Sequence, residues 1–194
     1  MVDARDYSFV SGAKVSDDGS LLNGAMSPGV GDDAAETDKT RAAAAVIDER
    51  LSYIQSLWAS KRSSQHVPVR ANLDPAEFYR MWPTTFLLEW DSALSDWWVR
   101  FAGSAYGAVY GREITGARVS EIVPLSLAPQ VLADLKRCAE MGEPVRTNGE
   151  TNWPDRGNVY RYQRVLLPFG DESGHVTHLL GVAAFFNSTG ATVF

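Results

Sequence analysis

Hydrophobic and polar positions along this chain switch between two periods. From Arg41 to Trp58 an alanine-rich run places Ile47, Leu51, Ile54 and Trp58 at i, i+4, i+7 and i+11, one stripe of an amphipathic helix within 39–62. Thr40, or Thr37 a turn earlier, is its expected cap, and Lys61 and Arg62 suit its C-terminal end. The stripe must be covered by its own domain or by a second copy of the chain, and the second copy is the preferred reading. Residues 63–72, with His66 and Pro68, read as an extended connector. Asp74-Pro75-Ala76-Glu77 then opens a short helix ending before Pro83, with Asp74 as cap and Glu77 placed as in a capping box.

Beyond Pro83 the period falls to two. Thr84 to Trp90 and Asp96 to Gly103 read as a hairpin, with Trp97, Val99 and Phe101 on one face and Trp98, Arg100 and Ala102 on the other. Short helical turns follow at Ser104 to Tyr110 and Val119 to Val123. Ala128 to Met141 is the strongest helix of this half, with Val131, Leu132, Leu135 and Cys138 at helical spacing and Gly142 as terminator. Three strands close the pattern: Val145 to Trp153, Asn158 to Pro168 and His178 to Phe186, with turns at Pro154 to Gly157 and Phe169 to Gly174. Hairpins at both ends need no crossover helices, so the order predicts an α+β domain with one antiparallel sheet.

Composition narrows the function classes. With 45% apolar and 22% charged residues the 194-residue chain has ordinary globular usage. Eight acidic residues up to Asp38 stand against Arg5 and Lys14, so residues 1–38 carry the whole net charge of −6 and read as a disordered acidic tail. The rest is balanced and shows no basic stripe, which argues against nucleic acid. A single cysteine and an N-terminus unlike a signal peptide point to a reducing cytoplasm. No run approaches the roughly 18 apolar residues of a membrane span.

Several segments carry a family likeness. Tyr110-Gly111-Arg112-Glu113-Ile114-Thr115-Gly116, continuing through Val119-Ser120-Glu121-Ile122-Val123-Pro124, resembles the PAS segment in which a Gly-bounded turn leads into a short helix ending near proline. Gly142-Glu143-Pro144-Val145 resembles the junction from the long PAS helix into the third strand, and Leu180 to Phe186 the last strand. Phe86-Leu87-Leu88-Glu89-Trp90 and Arg100-Phe101-Ala102-Gly103 look like the opening hairpin of small bacterial proteins in which one PAS domain follows an N-terminal helix. The resemblance spans residues 73–187, leaving 188–194 as a C-terminal tail. It implies a curved antiparallel sheet of about five strands with helices over its concave face, preceded by the amphipathic helix, and a pocket between sheet and helices.

Known pocket chemistries can be set against the residues present. Flavin photochemistry needs a cysteine in a short helix before the long one, and Val119 to Val123 has none; Cys138 reads as a buried hydrophobe. A haem sensor needs an axial histidine near Ala128 to Met141, and none is there. His175 and His178 are three apart on a strand and point to opposite faces, which counts against a metal pair. Catalysis has no phosphate loop, nucleophile elbow, His-Glu-x-x-His or carboxylate pair to rest on. The pocket candidates are therefore Trp98, Arg100, Phe101, Tyr106, Tyr110, Leu135, Cys138, Tyr160 and Tyr162; Arg100 reads first as an exposed cation over an aromatic ring, and as a cation in search of a carboxylate if its face is the inner one.

These readings converge on a non-enzymatic sensory or regulatory module of unknown cofactor. It is expected to dimerise through Ile47, Leu51, Ile54 and Trp58, to take a small-molecule or partner signal, and to act on a signalling partner. The residues outside the domain leave no room for a kinase, cyclase or DNA-binding effector, so output is expected to pass through another chain or the helix. The rivals are a small isomerase or hydratase on a nuclear-transport-factor-like cone fold, and a ligand-free structural adaptor.

Overall fold

The computed structural model describes residues 47–62, 67–152 and 159–194. The acidic tail, the expected caps Thr37 and Thr40, His66 and the turn at Pro154 to Gly157 lie outside the described residues. Helix α1 spans Glu49–Ser60 and starts on Asp48, whose side chain accepts the Arg50 N–H. Ile47 therefore precedes the helix and is 43% exposed, so the stripe keeps three members rather than four.

Asp74 caps its turn as expected, accepting from the Ala76 N–H at 2.9 Å. The segment it opens is a 3-10 run over Pro75–Thr84, kinked at Phe78, and it continues past Pro83 instead of stopping before it. Glu77 reaches across to Lys61 at 2.6 Å rather than back to the cap, which replaces the capping box with an ion pair between this segment and the end of α1.

The strands are β1 (Thr85–Asp91), β2 (Asp96–Ala102), β3 (Val145–Asn152), β4 (Val159–Gly170) and β5 (Val176–Phe186). They pair in the order β2-β1-β5-β4-β3, each neighbouring pair antiparallel. Between β2 and β3 lie α2 (Ser104–Tyr110), α3 (Val119–Ile122) and α4 (Ala128–Met141). Gly142 ends α4 in the left-handed conformation, φ 62°, where a side chain would be strained.

The sheet is covered on both faces. Phe86, Leu88, Val99, Leu166, Leu179 and Phe185 pack against Val109 of α2, Ile122 of α3, and Leu135 and Cys138 of α4. On the opposite face Val165, Leu167, Phe169, Leu180 and Val182 meet Leu51, Ile54 and Trp58 of α1, with Phe78 and Met81 beside them. Two covered faces explain why Leu179 to Phe185 is buried without alternation. They also correct the expected dimer surface: Leu51, Ile54 and Trp58 are at most 3% exposed because this chain's own β4 and β5 occupy their stripe. The Trp58 indole donates to the Pro168 carbonyl at 2.7 Å. Trp58→Phe, which loses that bond and part of a ring, should lower stability by about 1–2 kcal/mol in a urea melt.

A β-bulge corrects the face assignment in β2. Leu87 pairs with Phe101 and Leu88 with Val99, so Arg100 is the extra residue and parity reverses across it. Trp97 and Val99 face the core, while Phe101 is turned out against Trp82, ring centroids 6.4 Å apart. In α4 a similar exchange occurs, since Leu132 is 42% exposed and Asp134 is buried in its place. Residues 188–194, expected as a tail, fold back: Val193 N–H bonds the Phe185 carbonyl at 3.0 Å, and Arg50 donates to the Phe194 carbonyl at 2.8 Å.

Candidate functional site

Strand β4 alternates, and its row Tyr160, Tyr162, Arg164, Leu166 points to the α2–α4 side of the sheet. A cavity of about 70 Å³ opens there. Its floor is Tyr162, Arg164, Ala183 and Phe185; its walls are Tyr106, Val109 and Tyr110 of α2 and the Val123, Pro124 and Leu127 stretch before α4, with Glu150 of β3 at the rim. The position opposite Tyr162 in β3 is Gly149, where a Cβ would sit 2.6 Å from the Tyr162 hydroxyl. The missing side chain lets the Tyr162 ring lie across the strand.

The phenols have definite states. Tyr106 is wedged edge-on between Phe86 and Phe185, centroids 5.4 and 5.7 Å away, and its hydroxyl donates to the Thr84 carbonyl at 3.3 Å. Burial pushes its pKa well above the ordinary tyrosine value and pushes that of Tyr110 up to about 12. Both are neutral hydroxyl groups at physiological pH.

Arg164 is the cation of the cavity lining, with an 11% exposed side chain. Its Nε donates to Thr147 Oγ1 at 3.1 Å, its Nη2 to Asp134 Oδ2 at 3.4 Å, and its guanidinium lies 5.7 Å from the Tyr162 ring centroid. Asp134 also accepts from Gln130 Nε2 at 3.1 Å and lies 3.6 Å from Arg137. Arg100 is the expected exposed cation over an aromatic ring, 5.8 Å from the Trp98 centroid, and the largely enclosed arginine with a carboxylate partner is Arg164.

The nine expected pocket residues separate into three groups. Tyr106, Tyr110 and Tyr162 line the cavity. Leu135 and Cys138 are buried in the layer behind it, and Tyr160 rests on Phe194 at 5.9 Å. Trp98, Arg100 and Phe101 lie elsewhere. Trp98 donates to Asp91 at 2.9 Å under the guanidinium of Arg118, while the bulged Arg100 is half exposed and paired with Glu89. Arg164 was overlooked because its partner is 30 residues away on a helix; the signals were polar residues on two otherwise apolar rows, Asp134 beside Leu135 and Arg164 before Leu166.

Burial pushes the Cys138 thiol up to about 12, so it stays protonated, 3.5 Å from the Glu143 carbonyl. Among the described residues no group of three His, Cys, Asp or Glu is arranged to hold a metal ion, and no helix is long and apolar enough to cross a membrane. His178 is on the α1 side of β5, 4.0 Å from Glu89. Burial lowers its pKa below 6.5; Glu89 opposes this, and Arg70 and Arg100 reinforce it. The unfolded chain therefore takes up the proton first, and stability present above pH 6.5 should fall as pH drops below it. Melting temperatures between pH 7.5 and 5.5 should slope accordingly, and His178→Gln should flatten the slope.

A family model described as PAS domain matches residues 48–184. No curated protein matches the chain. Similar solved structures include the light state of the blue-light photoreceptor Aureochrome1 LOV, at 13% identity and TM-score 0.44, covering 61% of this chain and 91% of that one. A LOV protein of Rhodobacter sphaeroides matches at 13% identity and TM-score 0.43 over 74% of this chain and 71% of its own. A LOV domain studied with a flavin analogue matches at 16% identity and TM-score 0.39, covering 54% and 78%.

Proposed function

This chain belongs to the PAS domain family, and from that premise we propose that it is a regulatory module whose cavity receives a small molecule and whose output is protein contact rather than catalysis. PAS domains are typically sensory modules. The observation that supports the reading is the cavity itself: about 70 Å³ of space against three tyrosines and a part-buried arginine that ties β4 to α4. A site with apolar walls and a few fixed polar groups is the usual build of a small-molecule pocket. The isomerase or hydratase reading on a cone fold gives way to the PAS family, and the cavity favours a ligand over a filled adaptor core.

A cytoplasmic setting and a homodimer belong to the same proposal. The dimer uses surfaces other than the Leu51, Ile54 and Trp58 stripe, which the sheet already covers. Native mass spectrometry of freshly purified protein tests the ligand: a mass retained on the folded chain and lost on unfolding supports it, and a bare chain under every growth condition opposes it. Sedimentation velocity of the full chain tests the dimer, and a monomer across the concentration range removes that part.

A further inference from the structure

Resting on the cavity reading above, we propose that the ligand is a small monocarboxylate, bound by Arg164 in place of Asp134. Apart from Arg164, the tyrosine hydroxyls and the rim carboxylate Glu150, the lining is apolar: Val109, Val123, Pro124, Leu127, Ala183 and Phe185. Such a surface favours one charge on a short apolar body. A phosphate or other dianion would find a single cation in the lining and Glu150 at the entrance. The volume, about 70 Å³, suits a ligand the bulk of a handful of waters.

The ion pair within the protein is built to open. Arg164 reaches Asp134 through one contact of 3.4 Å, whereas strong bidentate pairs close to about 2.7–2.9 Å. The rest of its planar fork is suited to a second carboxylate. Asp134 keeps Gln130 at 3.1 Å and Arg137 at 3.6 Å, so a ligand that draws Arg164 away does not leave a buried charge without partners. The phenols of Tyr106 and Tyr110 are neutral and bring no opposing charge to the lining.

The test is thermal shift and calorimetry of the full chain in chloride buffer at pH 7.5 with butanoate, butanamide, 1-butanol and inorganic phosphate. Butanoate should bind, raising the melting temperature by about 3 °C or more at ten times its Kd, while the other three leave it unchanged. In R164Q/D134N, which exchanges the ion pair for neutral groups of matched shape, butanoate should bind at least tenfold more weakly. R164K keeps the charge but not the fork and gives a second measure should the double variant unfold; there too the affinity should fall. Equal shifts from butanoate and butanamide, or butanoate binding undiminished in R164K, would overturn the proposal. A neutral compound that binds while carboxylates stay silent overturns this ligand class and leaves the sensing reading intact. A cavity that takes up nothing of any charge, together with a bare chain in native mass spectrometry, removes both.

Discussion

Gly103→Ala should cost at least about 3 kcal/mol, enough to unfold a marginal domain. Gly103 is the N-cap of α2, with φ of −67°, so its backbone angles alone would tolerate any residue. The constraint is space. A Cβ there would lie 1.8 Å from the Trp82 carbonyl oxygen and 2.5 Å from that of Pro83, both backbone atoms at the end of the 3-10 segment. The Gly103 N–H also bonds the Thr85 carbonyl at 2.8 Å, so the junction cannot back away without opening the end of β2. Four residues on, Gly107 sits within α2 with nothing within 4 Å of the place its Cβ would take. Gly107→Ala should raise stability by about 0.5–1 kcal/mol through helix propensity. Urea melts of the two variants side by side give opposite signs; a silent Gly103→Ala would contradict the close approach.

Asp134→Ala is the second large effect. It leaves the part-buried Arg164 guanidinium without its carboxylate; the Thr147 bond and the cavity soften the loss, which should be about 1–3 kcal/mol, below the cost of breaking a fully enclosed pair. The double variant R164M/D134L, which replaces the pair with apolar groups, should recover most of that loss. A double-mutant cycle by denaturation checks this. Additive losses in the two single variants would mean that the 3.4 Å contact carries no coupling.

Local signals made much of the architecture legible. Ala128 to Met141 was readable to its ends because an apolar row and a terminating glycine agree there, and the strands followed from β-branched and aromatic runs, the continuous apolar run of β5 and the turn residues between them. What escaped depended on tertiary register. Nothing near Arg100 marks it as the extra residue of a bulge, since the bulge exists only relative to Leu87 and Leu88 on the neighbouring strand. The α1 stripe looked like an interface because a helix alone does not say which surface covers it; the answer was the far side of β4 and β5. At the site, aromatic residues on strands and helices suggested Tyr106, Tyr110 and Tyr162. The decisive pair joins a β4 residue to an α4 residue and becomes visible only once the helix is laid on the sheet.

Successive residues of β4 touch different layers. Arg164 faces the cavity, while its neighbour Gln163 accepts the backbone N–H of Asp48, the cap of α1, at 3.0 Å. One peptide unit thus separates the inner chamber from the outer helix, with the residue that seats the helix start directly before Arg164 in the strand. If occupancy of the chamber is transmitted through that peptide unit, hydrogen exchange at the Asp48 amide should slow or quicken when butanoate is added, and an unchanged rate would show the two sides to be independent.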